Sequence, residues 1–266
     1  MFQIDAFARQ VFSGNPAAVV PLRKWLPDGL LQAIARENNL SETAFLTPGE
    51  QPGQYNLRWF TPSQEVGLCG HATLAAGFVV FEKLDPARTS VQFHTAGGPL
   101  RVRKDSQGLL ELNMPKTEPV PCEAPDALLR GLGVMPREVL ETQGDPNFFA
   151  VYDSESDIQS IRPDLSLLET LRPHGVAVTA RGEHADFVSR YFAPACGIPE
   201  DPVTGSTHCA LVPYWANKLG RTNLHARQIS ARGGDLWCEA RRDRVLIAGR
   251  AVKYFEGKIF IDQPEP

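Results

Sequence analysis

Apolar positions in this chain fall mostly into short runs bounded by glycine, proline and asparagine, the pattern of strands, and only two stretches are apolar for long enough to form enclosed helices. Phe2 to Phe7 alternates like a strand, Val11 to Pro16 reads as a loop, and Ala17 to Pro21 as an apolar strand. Leu30, Leu31, Ile34 and Ala35 share one face of a predicted helix that Asn38-Asn39 stops. Leu40 to Leu46 is a β-rich run with a single acid, Glu42, and Leu57 to Phe60 is a further strand. From His71 to about Glu82 the apolar residues go all the way round, which predicts a helix surrounded by sheet. Strands at Val91 to Thr95, Leu100 to Arg103 and Leu109 to Asn113 follow.

The second half repeats this plan. Short helices are predicted at Ala127 to Leu132 and Leu165 to Leu171, and strands at Phe148 to Tyr152, Gly175 to Thr179 and Phe187 to Phe192. A second apolar helix runs from about Ser206 to Leu219, where Pro213 should kink it. Strands at Gln228 to Ala231, Leu236 to Ala240, Val245 to Ala248 and Lys258 to Ile261 complete the reading. The repetition extends to residues: Arg58-Trp59-Phe60 returns as Arg190-Tyr191-Phe192 and Asn15 as Asn147, each 132 positions on, while Cys69-Gly70-His71 is answered by Thr204-Gly205-Ser206 at a step of 135. Two similar lobes follow, 1–118 and 119–266, with Pro119, Pro121 and Pro125 at the junction and a strand near 254–266 returning to the first lobe.

With 42% hydrophobic and 22% charged residues, the 266-residue chain has the composition of a globular protein. Its net charge of −4 lacks the basic field that nucleic-acid binding requires, and Arg241, Arg242 and Arg244 read as a solvated turn. No apolar run is long enough to span a bilayer as a helix, and the first residues lack the basic start and apolar core of a signal peptide, so a cytoplasmic protein with no membrane partner is expected. Five cysteines without CxxC spacing indicate neither a disulfide framework nor a structural zinc site, and no metal is expected.

Candidate chemistry gathers at the repeated motif. Each copy is an extended segment, a loop and a glycine opening a helix, and a helix start carries unpaired N–H groups and partial positive charge that suit a small acid or a developing enolate. If a pseudo-twofold relates the lobes, both helix starts face one cleft. Gly70 and Gly205 would let backbone N–H groups approach a ligand, and His71 and Ser206 stand at matching places beside them. Glu42 is the first candidate acid, since partial burial would raise its pKa toward neutrality; a surface acid on an edge strand is the plain alternative. Asp201, held before Pro202 on the loop to the second helix, would orient substrate or assist proton transfer, or simply cap the turn. Cys69 at a helix start is a candidate thiolate base. A two-thiol racemase needs a second cysteine where this chain has Thr204.

Four motifs in one order, Phe12-Ser13-Gly14-Asn15-Pro16, Leu40-Ser41-Glu42-Thr43-Ala44-Phe45, Cys69-Gly70-His71-Ala72-Thr73 and Asp201-Pro202-Val203-Thr204-Gly205-Ser206, resemble the PhzF-type phenazine-biosynthesis isomerase family across nearly the whole chain. The resemblance implies an α+β, diaminopimelate-epimerase-like fold: two pseudo-twofold-related lobes, each a sheet wrapped around a central apolar helix. It implies Glu42 as catalytic acid/base, His71 and Asp201 beside the substrate, Ser206 and the Gly70 and Gly205 backbones as substrate contacts, no cofactor, and a homodimer. The expected function is a cofactor-independent isomerase moving a carbon-bound proton on a small carboxylic acid, similar to trans-2,3-dihydro-3-hydroxyanthranilate isomerase. An amino- or hydroxy-acid racemase or epimerase using Cys69, and a non-catalytic small-ligand-binding protein, are the alternatives.

Overall fold

The computed structural model describes residues 1–142 and 146–261. The first lobe runs through strands β1 (Phe2–Ala6) and β2 (Asn15–Pro21), helix α1 (Asp28–Asn38), strands β3 (Glu42–Pro48), β4 (Gln54–Phe60) and β5 (Glu65–Val66), helix α2 (Gly70–Val79), and strands β6 (Ser90–Thr95), β7 (Gly98–Lys104), β8 (Leu110–Pro115) and β9 (Val120–Pro121). The second follows with α3 (Asp126–Leu132), β10 (Glu138–Thr142), β11 (Asn147–Val151), α4 (Glu155–Ser160), α5 (Leu165–Glu169), β12 (Gly175–Arg181), β13 (Phe187–Ala193), β14 (Ile198–Asp201), α6 (Gly205–Leu219), β15 (Asn223–Gln228), β16 (Gly234–Ala240), β17 (Arg244–Gly249) and β18 (Ala251–Glu256).

The strand pairings are the same in both lobes. In the first, β2 runs parallel to β3, β3 antiparallel to β4, and β4 parallel to β6. In the second, β11 runs parallel to β12, β12 antiparallel to β13, and β13 parallel to β15. Antiparallel ladders β6–β7–β8 and β15–β16–β17 then match. Among the described residues, strand pairing joins the lobes at three places. β8 pairs with β17, β9 leaves the first lobe to pair with β10, and β18 leaves the second to pair with β1. All eighteen strands therefore hydrogen-bond into one continuous sheet.

Each sheet curls around its apolar helix. Every residue of α2 except Phe78 is buried, and α6 buries most of its length. Burying a leucine or valine side chain contributes about 1.5–3 kcal/mol, so such a helix is stable only where sheet covers all its faces. α1 is ordinary by contrast, with Leu31, Ile34 and Ala35 buried and an exposed polar face. α6 continues through Pro213 without ending. The proline has no N–H for the Cys209 carbonyl one turn back, and that carbonyl accepts the Thr117 N–H from the lobe junction instead, at 3.1 Å.

The last strand differs from the sequence expectation. Lys258 to Ile261 is not a strand: residues 251–256 already occupy the edge of β1, pairing from Ala6↔Ala251 to Phe2↔Glu256. Ile259 and Ile261 pack against the cluster around α1, while Phe260 is exposed. Of the expected returning segment, 262–266 lie outside the described residues. The strand expected at Gln228 to Ala231 ends at Gln228, and β5, β9, β10, β14 and α4 were not expected at all. Among the described residues no disulfide joins any of the five cysteines, and no helix is long and apolar enough to cross a membrane.

Candidate active site

The two apolar helices meet at their N-termini. Gly70 and Gly205 are in backbone contact, close enough that a Cβ on Gly70 would lie 3.0 Å from the Gly205 Cα. Their flanking residues correspond: Cys69 and Thr204 are the extended residues that precede α2 and α6, and His71 and Ser206 occupy the second helical position of each. The unbonded N–H groups of both first turns thus open onto the same space. That space is a cleft of about 460 Å³, walled by Glu42, Leu68 and His71 from the first lobe and by Tyr191, Asp201 and Ser206 from the second. None of the described residues lining it is lysine or arginine.

Glu42 opens β3, paired with Ala17 of β2, and Asn15 opens β2 two residues earlier. This pairing brings the acid against the first turn of α2, where His71 Nε2 lies 3.2 Å from Glu42 Oε2. The two atoms are not aligned as a hydrogen bond, and both are buried without a hydrogen-bond partner among the described residues. Both residues line the cleft. Burial keeps the His71 ring neutral, with its pKa pushed down to about 3.

The second carboxyl is held differently. Asp201 Oδ1 accepts from Asn15 Nδ2 at 2.8 Å and Oδ2 from Thr204 Oγ1 at 2.5 Å. Burial raises the Asp201 pKa, and its bonds to Thr204, Asn15 and Ser41 offset part of that rise. Glu42 has less relief: burial first, then the Asp201 charge, hold its carboxyl well above the usual range, with only a contact to Cys69 acting the other way. The environments thus separate the two acids, Asp201 as the better hydrogen-bonded anion and Glu42 as the more basic carboxylate. Cys69 is buried, and burial followed by the Glu42 charge pushes its thiol well above the ordinary value. A thiol so placed is protonated at neutral pH.

Donor atoms of Glu42, Cys69 and His71 lie within 4.8 Å of one another, a grouping that a metal ion could occupy by donor type. Two of these groups have other neighbours: Asn15 Nδ2 lies 3.2 Å from His71 Nδ1, and the Cys69 sulfur lies 3.6 Å from the same nitrogen. The other ring nitrogen, Nε2, is the one beside Glu42.

The symmetry of the backbone is not carried by the side chains. By strand register Glu42 corresponds to Ala177, since Ala17 pairs with the one and Phe149 with the other, and Asp201 corresponds to Val66, paired with Tyr191 and Trp59 respectively. His71 is matched by Ser206 and Cys69 by Thr204. A symmetric frame holds unlike groups on its two walls.

The sequence model of the phenazine biosynthesis-like protein family, PhzC-PhzF, matches residues 4–257. The chain belongs to the PhzF family. An uncharacterized isomerase of Pseudomonas aeruginosa is 50% identical over 261 residues, 98% of each chain. The crystal structure of a PhzF family protein from Enterococcus faecalis superposes with a TM-score of 0.91 at 44% identity over 98% of both chains. A hydroxyproline epimerase from Agrobacterium vitis shares only the fold, with a TM-score of 0.62 at 14% identity over 96% of this chain and 90% of that one. The α+β fold is therefore the one the resemblance implied, and this PhzF family chain is an isomerase.

Every residue singled out in the sequence, Glu42, Gly70, His71, Asp201, Gly205 and Ser206, lines this cleft. Residues behind it were missed. Asn15 is fully buried and donates to Asp201 Oδ1 and to the Val203 carbonyl at 2.9 Å. Gln228, also fully buried, accepts from the Thr204 N–H and donates to the Asp201 carbonyl. Asn15 stood in a repeated motif, which was a signal; Gln228 ends an unremarkable strand and left none.

Proposed function

We propose that this PhzF family isomerase moves a carbon-bound proton on a small carboxylic acid without a cofactor, with Glu42 as the acid/base. The observation that carries the reading is the position of Glu42: a buried, unpaired carboxylate oxygen beside a neutral imidazole, in a cleft whose other buried acid, Asp201, is tied up by hydrogen bonds. A carboxyl raised toward neutrality is matched both to take a proton from carbon and to return it. The first turns of α2 and α6 supply N–H donors for the carboxylate and for charge developing on the substrate, which suits a cleft without cationic side chains. A racemase with Cys69 as base has less in its favour, since the thiol is protonated and the matching Thr204 hydroxyl is bonded to Asp201.

The test is solvent deuterium incorporation, read by mass spectrometry, into small carboxylic acids headed by trans-2,3-dihydro-3-hydroxyanthranilate. Glu42→Gln should lower exchange by about a hundred- to ten-thousand-fold while ligand binding persists, as expected for loss of general acid–base catalysis. Unchanged exchange in that variant rules out the role.

A further inference from the structure

Asn15 lies behind the cleft, yet its amide touches both sides of the chemistry. It belongs to β2 of the first lobe, and Nδ2 reaches Asp201 Oδ1 at 2.8 Å and the Val203 carbonyl at 2.9 Å in the second lobe, with His71 Nδ1 at 3.2 Å. The two oxygens accept only, so the amide must present its NH2 to this corner; the opposite orientation would set Oδ1 against a carboxylate and a carbonyl. Oδ1 has no partner among the described residues, so nothing competes for the other orientation.

We propose that Asn15 is a positioning residue that fixes the tautomer of His71, keeping Nδ1 unprotonated and placing the ring proton on Nε2, the nitrogen beside Glu42. The two hydrogens of Nδ2 go to the Asp201 and Val203 oxygens, and the amide nitrogen has no lone pair to accept a ring N–H, so a proton on Nδ1 would face a donor group, with the Cys69 sulfur at 3.6 Å as the other neighbour. The remaining ring proton occupies Nε2, 3.2 Å from Glu42 Oε2. Because the amide is oriented by Asp201 and Val203, docking of the second lobe sets the tautomer in the first. One side chain thus links the contact between the lobes to the protonation pattern beside the acid. The catalytic meaning of this arrangement rests on the proposed role of Glu42, whereas the tautomer itself does not.

The test reads the ring directly. Long-range proton–nitrogen NMR on the full chain with ring-labelled histidine, assigned through His71→Gln, should show an unprotonated Nδ1 and a protonated Nε2 for His71, unchanged between pH 5 and 8 because burial keeps the ring neutral. Asn15→Asp keeps the shape but replaces the donor with an acceptor, so the proton should move to Nδ1. Asn15→Ala, the second variant should the first not fold, removes the donor and should give a mixture of tautomers. Solvent deuterium exchange should fall about a hundredfold in either, since small misplacements of catalytic groups cost on that order. A wild-type ring protonated at Nδ1 overturns the proposal by itself, as does an unchanged tautomer in a folded variant. If the tautomer behaves as described but Glu42→Gln leaves exchange intact, the positioning stands and the functional reading falls.

Discussion

At the level of single residues, the properties of this cleft follow from burial. Glu42 has a folded-state pKa above its ordinary 4.5, so between those values the folded protein holds more protons than the unfolded chain, and stability falls as pH rises through that interval. The advantage of Glu42→Gln over wild type in urea unfolding should therefore grow from about pH 4.5 upward and level off above the raised pKa, at no more than about 1.4 kcal/mol per pH unit. His71 has the opposite sign: its lowered pKa costs stability as pH falls below 6.5. Cys69→Ser should retain exchange activity within about tenfold, a smaller loss than removal of a general acid–base produces; loss comparable to Glu42→Gln would return weight to a thiol base. Sequence reading found Glu42, His71 and Asp201 because each sits in a short motif with its own local logic. It passed over Asn15 as a site residue because its contacts exist only once the lobes meet, and Gln228 because its partners, Asp201 and Thr204, lie on a loop that no spacing along the chain ties to its strand.

At the level of elements, the paired helix starts tie sequence to geometry most tightly. Gly70 and Gly205 were read as openings for ligand contact, and they do line the cleft, but a β-carbon on either would also press on the other helix at about 3.0–3.1 Å. Gly205→Ala gains at most about 1 kcal/mol of helix propensity, which offsets much of the contact, so thermal stability should change little. Proton exchange should fall at least tenfold as the helix starts are pushed apart; retained activity would show that the contact has slack. Strands bounded by turn residues and enclosed helices were legible from periodicity. The two-residue strands β5 and β9 were not, because they carry no period and are defined by partners distant in sequence. The final strand was misplaced for a related reason: Ile259, Phe260 and Ile261 form an apolar run, but the β1 edge was already taken by less apolar residues.

At the level of the whole molecule, the lobes are two in pattern and one in bonding. The main core cluster contains Leu74 and Val102 from the first lobe and Phe187 and Ile247 from the second, and β8–β17, β9–β10 and β1–β18 carry the sheet across. Thermal unfolding should be a single transition with equal calorimetric and van't Hoff enthalpies, and two resolved transitions would contradict this. The repeat was visible in the sequence because Asn15 and Asn147, and Arg58 and Arg190, kept their identities. The asymmetry that gives the site its character was visible only in part: Cys69 facing Thr204 could be read directly, while the matching of Glu42 to Ala177 and Asp201 to Val66 needed the strand register. An acid anchored to one wall of a cleft reaches only one face of a flat intermediate. In the reaction proposed above, the proton that Glu42 lifts from that face is replaced on the same face, so the migration is suprafacial, and solvent deuterium should enter the product on the face from which the proton left.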